Sequence, residues 1–406
     1  MKSKHEYKKA LIIGTISVFS YIVCYYMRNI LSVSTPAMLE TGKFTKELVG
    51  TLSSIYMIAY AVGQLINGVV GDIVKPKIMV SGGLIISGLF SVLFALTPIK
   101  PIQILCFVFI GFSLSMLRGP LVKTISENTL PKYAQTCCVF FSFSSFAGPL
   151  IASLLAILLN WQLTFIISGI FACVISVAVF LVFTVLENKK VITFSQTQKN
   201  KGLKGISEVF KLDRFIFFMF IGGLVEISAS SIGFWIPTFF TDRLGYSKET
   251  ANMLFSAITL VKALAPFITL AVLKLFKDDE LKMINFSFLT GAVFFALMLF
   301  TNNPFVNVAL MLFARLFVGF ASTILWSIYI PAQGKTGLVS TVNGVLDFSG
   351  YAIAAVANMI FSFTISSLDW NGIIIMWSIM MLSGSIASVI VKVKESKRTQ
   401  NITFIP

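Results

Sequence analysis

The chain has 406 residues, of which 56% are hydrophobic and 12% are charged, whereas a soluble domain has about 45–50% apolar and about 25% charged residues. This composition excludes an ordinary soluble protein. Lys and Arg outnumber Asp and Glu by 32 to 17, for a formal net charge of +15. Because these charges lie between long apolar runs, they indicate membrane topology rather than a nucleic-acid surface.

The predicted elements are membrane-spanning helices. A basic start, Met1 to Lys9, leads into the first apolar run without the small residues of a cleavage site, so we expect a retained first span. Twelve apolar segments, each long enough to cross a bilayer, follow one another along the chain. Their predicted limits are 10 to 37, 47 to 71, 77 to 98, 102 to 125, 134 to 158, 162 to 186, 214 to 240, 248 to 275, 282 to 300, 304 to 328, 336 to 365 and 371 to 392.

A lysine-rich polar stretch from Glu187 to Asp213 divides these segments six and six. The predicted fold class is therefore an all-α membrane protein with twelve transmembrane helices in two pseudo-symmetric six-helix bundles. The predicted domains are an N-terminal bundle (1–186), a basic cytoplasmic central loop (187–213), and a C-terminal bundle with a cytoplasmic tail (214–406). Two related halves with a site at mid-membrane are a common transporter plan.

The distribution of basic residues predicts the orientation. If the N-terminus is cytoplasmic, few Lys and Arg residues lie in outward-facing loops, as the positive-inside rule requires. Those residues are Lys43, Lys46, Lys100, Arg243 and Lys248. We therefore expect a multi-pass protein of the cytoplasmic membrane with both termini inside, in contact with the lipid bilayer and with no nucleic acid.

Six charged residues fall within the predicted spans, where each charge costs about 2.5–3.5 kcal/mol. They are Arg28, Arg118, Glu226, Lys262, Arg315 and Asp347. The excess of cations favours an anionic substrate. The alternative is that they pair with one another, for instance Arg28 with Asp347 or Lys262 with Glu226. The two carboxylates are also candidates for proton coupling, since burial raises a carboxyl pKa while neighbouring cations lower it.

The charged residues toward the cytoplasmic end of span four are interpreted differently from Arg28. Arg118 is placed nearer the cytoplasmic end of that span, where a long side chain can reach water. Lys123 and Glu127 lie closer still to that end and are interpreted as surface charges. The preferred anion contact is instead Arg28, midway along the first span.

A loop motif follows the second span, with the sequence GVVGDIVKPK over residues 68–77. A glycine, an acid four residues later and basic residues after a short turn resemble the loop signature of the major facilitator superfamily. The resemblance implies transport by alternating access. It gives Asp72 a gating role, in which the carboxylate pairs with a cation or with helix ends and latches one state.

A narrower resemblance lies in three spans. The sequence YYMRN at 25–29 precedes Pro36, the second span contains Ala59-Tyr60, and WIPTF occupies 235–239. These motifs are similar to those of the organophosphate:phosphate antiporter family, whose members exchange glycerol phosphate or hexose phosphates for inorganic phosphate. The resemblance implies a small anionic substrate with phosphate as the counter-ion, while the carboxylates within the spans leave a proton as the other possible counter-ion.

The chain also departs from that family. There, one arginine from each half grips the phosphate, and Arg28 matches the first. Neutral residues stand at the other three phosphate-handling positions, namely Gln64, Ser144 and Ala229. Arg28 would then hold an anion alone or with Lys262 or Arg315, because a guanidinium binds phosphate or carboxylate bidentately.

The sequence thus predicts a monomeric secondary transporter for a small organic anion such as a sugar phosphate or carboxylate. The predicted substrate-binding residues are Tyr25, Arg28, Asn29, Tyr60, Gln64, Lys262 and Arg315, and the coupling or gating residues are Asp72, Glu226 and Asp347. With one histidine and five scattered cysteines, expected to be free, no cofactor, metal site or enzyme is predicted. A transporter-like sensor of an external anion and a proton-driven multidrug exporter remain as alternatives.

Overall fold

A computed structural model describes residues 2–194 and 204–403 of the protein, and these described residues contain helices, turns and no β-strand. The middle of the predicted central loop, 195–203, lies outside the described residues. The first eight helices are α1 (Lys2–Glu40), α2 (Lys46–Ile73), α3 (Pro76–Leu96), α4 (Lys100–Leu114), α5 (Arg118–Asn128), α6 (Pro131–Ser142), α7 (Ser144–Leu158) and α8 (Trp161–Asn188).

The later helices include short and interrupted ones. They are α9 (Lys204–Val209), α10 (Phe215–Ile227), α11 (Gly233–Asp242), α12 (Lys248–Leu275), α13 (Glu280–Leu297), α14 (Pro304–Thr323), α15 (Ile330–Ala332) and α16 (Val339–Thr403). A left-handed backbone at Asp369 (φ 60°) interrupts α16. Two π-helical segments, Ser228–Ile232 and Ile324–Tyr329, follow α10 and α14.

The predicted all-α class is confirmed. Within the described residues, eleven helical segments are long and apolar enough to cross a membrane. The seventh predicted span is divided differently: a shorter apolar helix, Phe215–Ser231, is followed by α11. A serine-rich π-helical turn, the sequence SASSI, separates its two parts, and such turns locally loosen the helical hydrogen-bond ladder.

Contacts divide the chain into two units. Unit 1 comprises Met1–Val209 and Ser327–Phe348, and unit 2 comprises Phe210–Trp326 and Ser349–Pro406. Unit 1 therefore holds the first nine helices together with α15 and the start of α16. In unit 2, α14 packs against α12 and α13.

Charged side chains join helix ends within unit 2. The Arg214 guanidinium donates to both carboxylate oxygens of Glu395, at 2.5 and 2.7 Å, and this hydrogen bonding raises the pKa of Arg214. Asp279 accepts the main-chain N–H of Lys282 at 2.9 Å and so caps α13. Its carboxylate also accepts from Lys392 at 2.7 Å, which ties the end of α16 to the start of α13.

Close helix packing in unit 1 depends on glycine. A Cβ atom on Gly148 of α7 would lie 2.4 Å from the Tyr25 Cβ and 2.6 Å from the Tyr26 main-chain nitrogen. The absence of a side chain therefore lets α7 contact the segment of α1 that carries Arg28. Pro149 follows in the same helix, where it has no main-chain N–H group to donate to the preceding turn.

We expect Gly148→Ala to destabilise unit 1, because the added methyl group meets backbone atoms that cannot rotate away. Overpacking of this kind costs about 1–3 kcal/mol. The thermal unfolding of purified protein in detergent checks this, with a lower midpoint as the expected result. The matched control is Gly50→Ala in α2, where a Cβ meets nothing within 4 Å, so its midpoint should stay level or rise. Equal changes of the unfolding midpoint in Gly148→Ala and Gly50→Ala would contradict the predicted effect of close helix packing.

Candidate substrate-binding site

Arg28 lies on α1 with its guanidinium against two tyrosine rings of unit 1. Its Cζ atom is 4.9 Å from the centroid of Tyr60 and 5.8 Å from that of Tyr25. Tyr25 is one helical turn away from Arg28, so both project from the same side of α1. A cation over an aromatic face is stabilised without losing its charge. The structure thus brings together three of the residues predicted from the sequence to bind substrate.

The Arg28 side chain also borders a cavity of about 230 Å³ in unit 1. Tyr56, Ser53, Ser91 and Thr35 contribute polar groups to its wall, and most of the other lining residues are apolar. Among the described residues that line it, Arg28 is the one that carries a charge. A cavity with apolar walls and one cation can bind a small anion with little competition from water.

Two other predicted polar residues near Arg28 have different environments. Asn29 donates its side-chain amide to the Tyr25 carbonyl at 2.7 Å, so this amide stabilises its own helix. Gln64 has only 1% of its surface exposed, and its Nε2 has no hydrogen-bond partner among the described residues. Gln64 follows Tyr60 by one helical turn and lies on the same side of α2.

Asp347 is 2% exposed and interacts with residues of three helices. Its Oδ1 atom is 3.3 Å from Nη1 of Arg118, and its Oδ2 accepts from the Asn343 amide at 3.0 Å. The charge of Arg28 also acts on this carboxylate. The sequence suggested Arg28 as the partner of Asp347, and the structure adds Arg118 as a cation that contacts this carboxylate.

The interpretation of Arg118 as a side chain that reaches water was wrong. Arg118 begins α5, which continues to Asn128, so about 15 Å of helix separates it from that end. Its side chain is 17% exposed and reaches Asp347 instead. The span was predicted to end at residue 125, whereas the helix continues to Asn128. The sequence therefore placed Arg118 too close to the cytoplasmic surface.

Asp72 contacts both kinds of partner that the loop motif suggested. Its carboxylate accepts the main-chain N–H of Ser340 at 3.0 Å and that of Thr341 at 2.7 Å, and it also accepts the Thr341 hydroxyl at 2.6 Å. These N–H groups belong to the first turn of α16, where the helix dipole favours a negative charge.

The same carboxylate pairs with Lys123, whose Nζ lies 3.6 Å from Oδ1 of Asp72. The ammonium group donates to the Asp72 main-chain oxygen at 2.8 Å. Lys123 is 2% exposed, so its interpretation as a surface charge was wrong. The Lys123 side chain lies on the face of α5 that packs against α2. No local sequence signal showed which face of α5 is buried against other helices.

The remaining predicted site residues belong to unit 2. The Arg315 guanidinium donates to the Ser228 carbonyl at 2.9 Å and to the Ser228 hydroxyl at 3.2 Å, and it interacts electrostatically with Glu226. Lys262, suggested as a partner of Glu226, has an exposed side chain on α12. Arg315 is a buried cation whose charge interacts with that of Glu226, an interaction that the sequence did not suggest.

Comparison with known proteins decides the family. The model of the Major Facilitator Superfamily matches residues 17–357, which is most of the chain. The protein belongs to the major facilitator superfamily. The fold is that of a membrane transporter rather than an enzyme, and the apolar helices make this a multi-pass membrane protein.

The curated relatives include a transporter named for an organophosphate and a membrane sensor. The chain is 22% identical over 418 residues to the glycerol-3-phosphate transporter of Bacillus subtilis, covering 96% of this chain and 93% of the relative. It is 21% identical over 279 residues to the membrane sensor protein UhpC of Escherichia coli, covering 64% and 62%. The resemblance to the organophosphate:phosphate antiporter family is confirmed.

Solved structures show the same fold. A bacterial homologue of the iron transporter ferroportin in an outward-facing state matches with a TM-score of 0.74. The alignment covers 94% of this chain and 99% of that one at 10% sequence identity. Identity this low shows the fold alone.

Proposed function

We propose that this major facilitator moves a small organic anion, such as a sugar phosphate or a carboxylate, across the cytoplasmic membrane by alternating access. The observation that supports the proposal is the position of Arg28, a membrane-embedded cation that lines a cavity and is held against the faces of Tyr25 and Tyr60. A guanidinium suits this role, because its paired N–H groups bind phosphate or carboxylate oxygens bidentately.

The charge of Arg28 also explains how binding of the anion is coupled to the change between the inward-facing and outward-facing states. A cation within the membrane is costly, and an anion beside it offsets that cost. The loaded carrier then passes between its states more easily than the empty carrier. In this proposal Glu226 and Asp347 contribute to coupling, and a proton or inorganic phosphate is the counter-ion.

The proposal includes the arrangement in the membrane. The two halves are the bundles at 1–186 and 214–406, joined by the central loop at 187–213, and the protein acts as a monomer. The excess of Lys and Arg in alternate loops supports placing both termini in the cytoplasm. Cysteine labelling of the loops from either side of the membrane tests this orientation.

Counterflow in proteoliposomes tests the function. Vesicles are preloaded with glycerol phosphate, hexose phosphates, inorganic phosphate, carboxylates or uronates, and the uptake of each labelled solute is measured. We expect Arg28→Ala to reduce uptake of the preferred anion about 10- to 100-fold, the effect of losing a hydrogen-bonded charge worth about 1.5–3 kcal/mol. Arg28→Lys should retain part of the activity, because the charge remains without the bidentate geometry.

A control variant separates this effect from a general loss of positive charge. Lys132→Gln removes a cation from an exposed position at the start of α6 and should leave uptake unchanged. Failure to carry any anion in the panel would exclude the proposed substrate class. Uptake that is equal in Arg28→Ala and wild type would exclude Arg28 as the anion contact.

A second candidate function is sensing, favoured by the similarity to the membrane sensor protein UhpC. A sensor would bind an external anion without supplying it to the cell. Anion-dependent thermal stabilisation that requires Arg28, without measurable counterflow of the same anion, would favour sensing over transport.

A further inference from the structure

A second guanidinium lies in the same polar cluster of unit 1 as Arg28. Arg118 contacts the Asp347 carboxylate at 3.3 Å and interacts electrostatically with Tyr25 and Tyr60, the two tyrosines whose rings contact Arg28. Asp347 interacts in turn with both arginines. The Asp347 carboxylate thus contacts Arg118 and lies in the electrostatic field of Arg28, and the formal charges of these three groups sum to +1.

Two buried amides beside this cluster have polar atoms that no described residue satisfies. They are Nε2 of Gln64, a donor, and Oδ1 of Asn343, an acceptor. The two residues are 1% and 0% exposed, respectively. Burying such an atom without a hydrogen bond costs about 1–3 kcal/mol. A native protein retains that cost more readily where a ligand supplies the missing partner.

The placement of these amides connects them to the ion pair. Asn343 lies one helical turn before Asp347 and donates to it, while Gln64 lies one turn after Tyr60 on α2. The helices approach closely here, since a Cβ on Gly344 would lie 2.2 Å from the Gln64 carbonyl oxygen. A hydroxyl group can accept from one amide and donate to the other.

We propose that Arg118 is a second anion-binding residue and that Asp347 is its exchangeable counter-ion. An acidic group of the substrate displaces the Asp347 carboxylate from Arg118, while Gln64 and Asn343 bind a hydroxyl group of the same molecule. The substrate class is therefore a hydroxylated acid, either a phosphorylated polyol or a hydroxy carboxylate. This inference rests on the proposed function and adds Arg118 where the related antiporter family uses other residues.

The exchange has a simple electrostatic basis. A carboxylate tethered to α16 neutralises Arg118 while no anion is bound, which limits the cost of a buried cation. The arriving anion takes over that role, and Asp347 retains the Asn343 amide and the charge of Arg28 as stabilising partners. Binding therefore competes with an internal ion pair, so removing the Asp347 charge should strengthen binding.

A double-mutant cycle tests the proposal on the purified full-length protein. Affinities for glycerol 3-phosphate and glycerate are measured by equilibrium binding for wild type, Arg118→Gln, Asp347→Asn and the double variant. We expect Arg118→Gln to weaken binding of the preferred acid at least tenfold and Asp347→Asn to strengthen it several-fold. The double variant should bind as weakly as Arg118→Gln, because the binding cation is missing from both.

A purely structural ion pair predicts the opposite pattern. In that case each single variant leaves one buried charge unpaired and is impaired, and the double variant recovers toward wild type. Recovery of this kind, or weaker binding by Asp347→Asn, would overturn the proposal. If Arg118→Gln does not yield monodisperse protein, Arg118→Lys serves instead, with intermediate weakening expected from the loss of bidentate geometry.

The hydroxyl contact has its own readout. Gln64→Leu should reduce the preference for glycerol 3-phosphate over propyl phosphate by about tenfold, and the preference for glycerate over propionate by a similar factor. An unchanged preference would overturn this part of the proposal.

Arg28→Ala is measured in parallel. Loss of binding in Arg28→Ala together with recovery in the double variant would overturn this inference alone, whereas no binding of any acid by wild type would overturn the proposed function.

Discussion

Asp72→Ala is expected to destabilise unit 1 strongly. The substitution leaves the buried Lys123 ammonium without its carboxylate, and removing one member of a buried ion pair costs about 3–5 kcal/mol. It also leaves the N–H groups of Ser340 and Thr341 without their acceptor. Thermal unfolding in detergent should show a clearly lower midpoint, with reduced counterflow in proteoliposomes.

A second substitution separates the ion pair from the helix cap. Asp72→Ala combined with Lys123→Met removes both charges, so its midpoint should recover in part, while the lost cap of α16 keeps it below wild type. Asp213→Ala serves as the control because that carboxylate is 83% exposed. A midpoint for Asp72→Ala equal to that of Asp213→Ala would show that the buried pair contributes nothing measurable.

Gly344→Ala is expected to abolish the close approach of α2 to the start of α16. A Cβ at this position would lie 2.2 Å from the Gln64 main-chain oxygen and 2.8 Å from the Gly68 Cα. Both atoms belong to backbone and cannot rotate aside, so the helices must separate. The contacts of Asp72 with Ser340 and Thr341 lie on the same pair of helices and should weaken with them.

Two measurements check the effect of Gly344→Ala. Counterflow should fall at least tenfold, and a cysteine introduced at Ser340, which is fully buried in the native packing, should become reactive toward a soluble maleimide. The matched control is Gly82→Ala in α3, where the nearest heavy atom to a Cβ is the Met116 Cε at 3.8 Å. Normal transport and a protected cysteine in Gly344→Ala would contradict the predicted separation.

Local sequence properties were sufficient for the predictions that the fold confirms. Membrane spans depend on runs of about 20 apolar residues, which hydropathy detects without knowledge of any neighbour. Span limits were less exact, as the continuation of α5 to Asn128 shows, because helices extend past the apolar core into polar residues. The family resemblance likewise rested on short motifs, in particular the one that contains Asp72.

The proximity of residues in the candidate site was predictable from the sequence only for the two that lie on α1. Tyr25 and Arg28 are one turn apart on one helix, so their proximity follows from helical geometry. Tyr60 lies on another helix and entered through a motif of the related family. The environment of Lys262 was not predictable, since an apolar run does not show which of its faces is covered by other helices.

The sequence by itself determined the all-α membrane class, the succession of spans and the presence of charges within them, because each is set by residues close together in the chain. Only the tertiary structure decided which charges meet. Asp347 contacts Arg118, and Asp72 contacts Lys123 and the start of α16. These partners come from different helices, and the rotation of each helix about its axis depends on packing at positions such as Gly68 and Gly344. Long-range packing therefore decided whether a charged residue became a surface group, a structural partner or a candidate ligand for an anion.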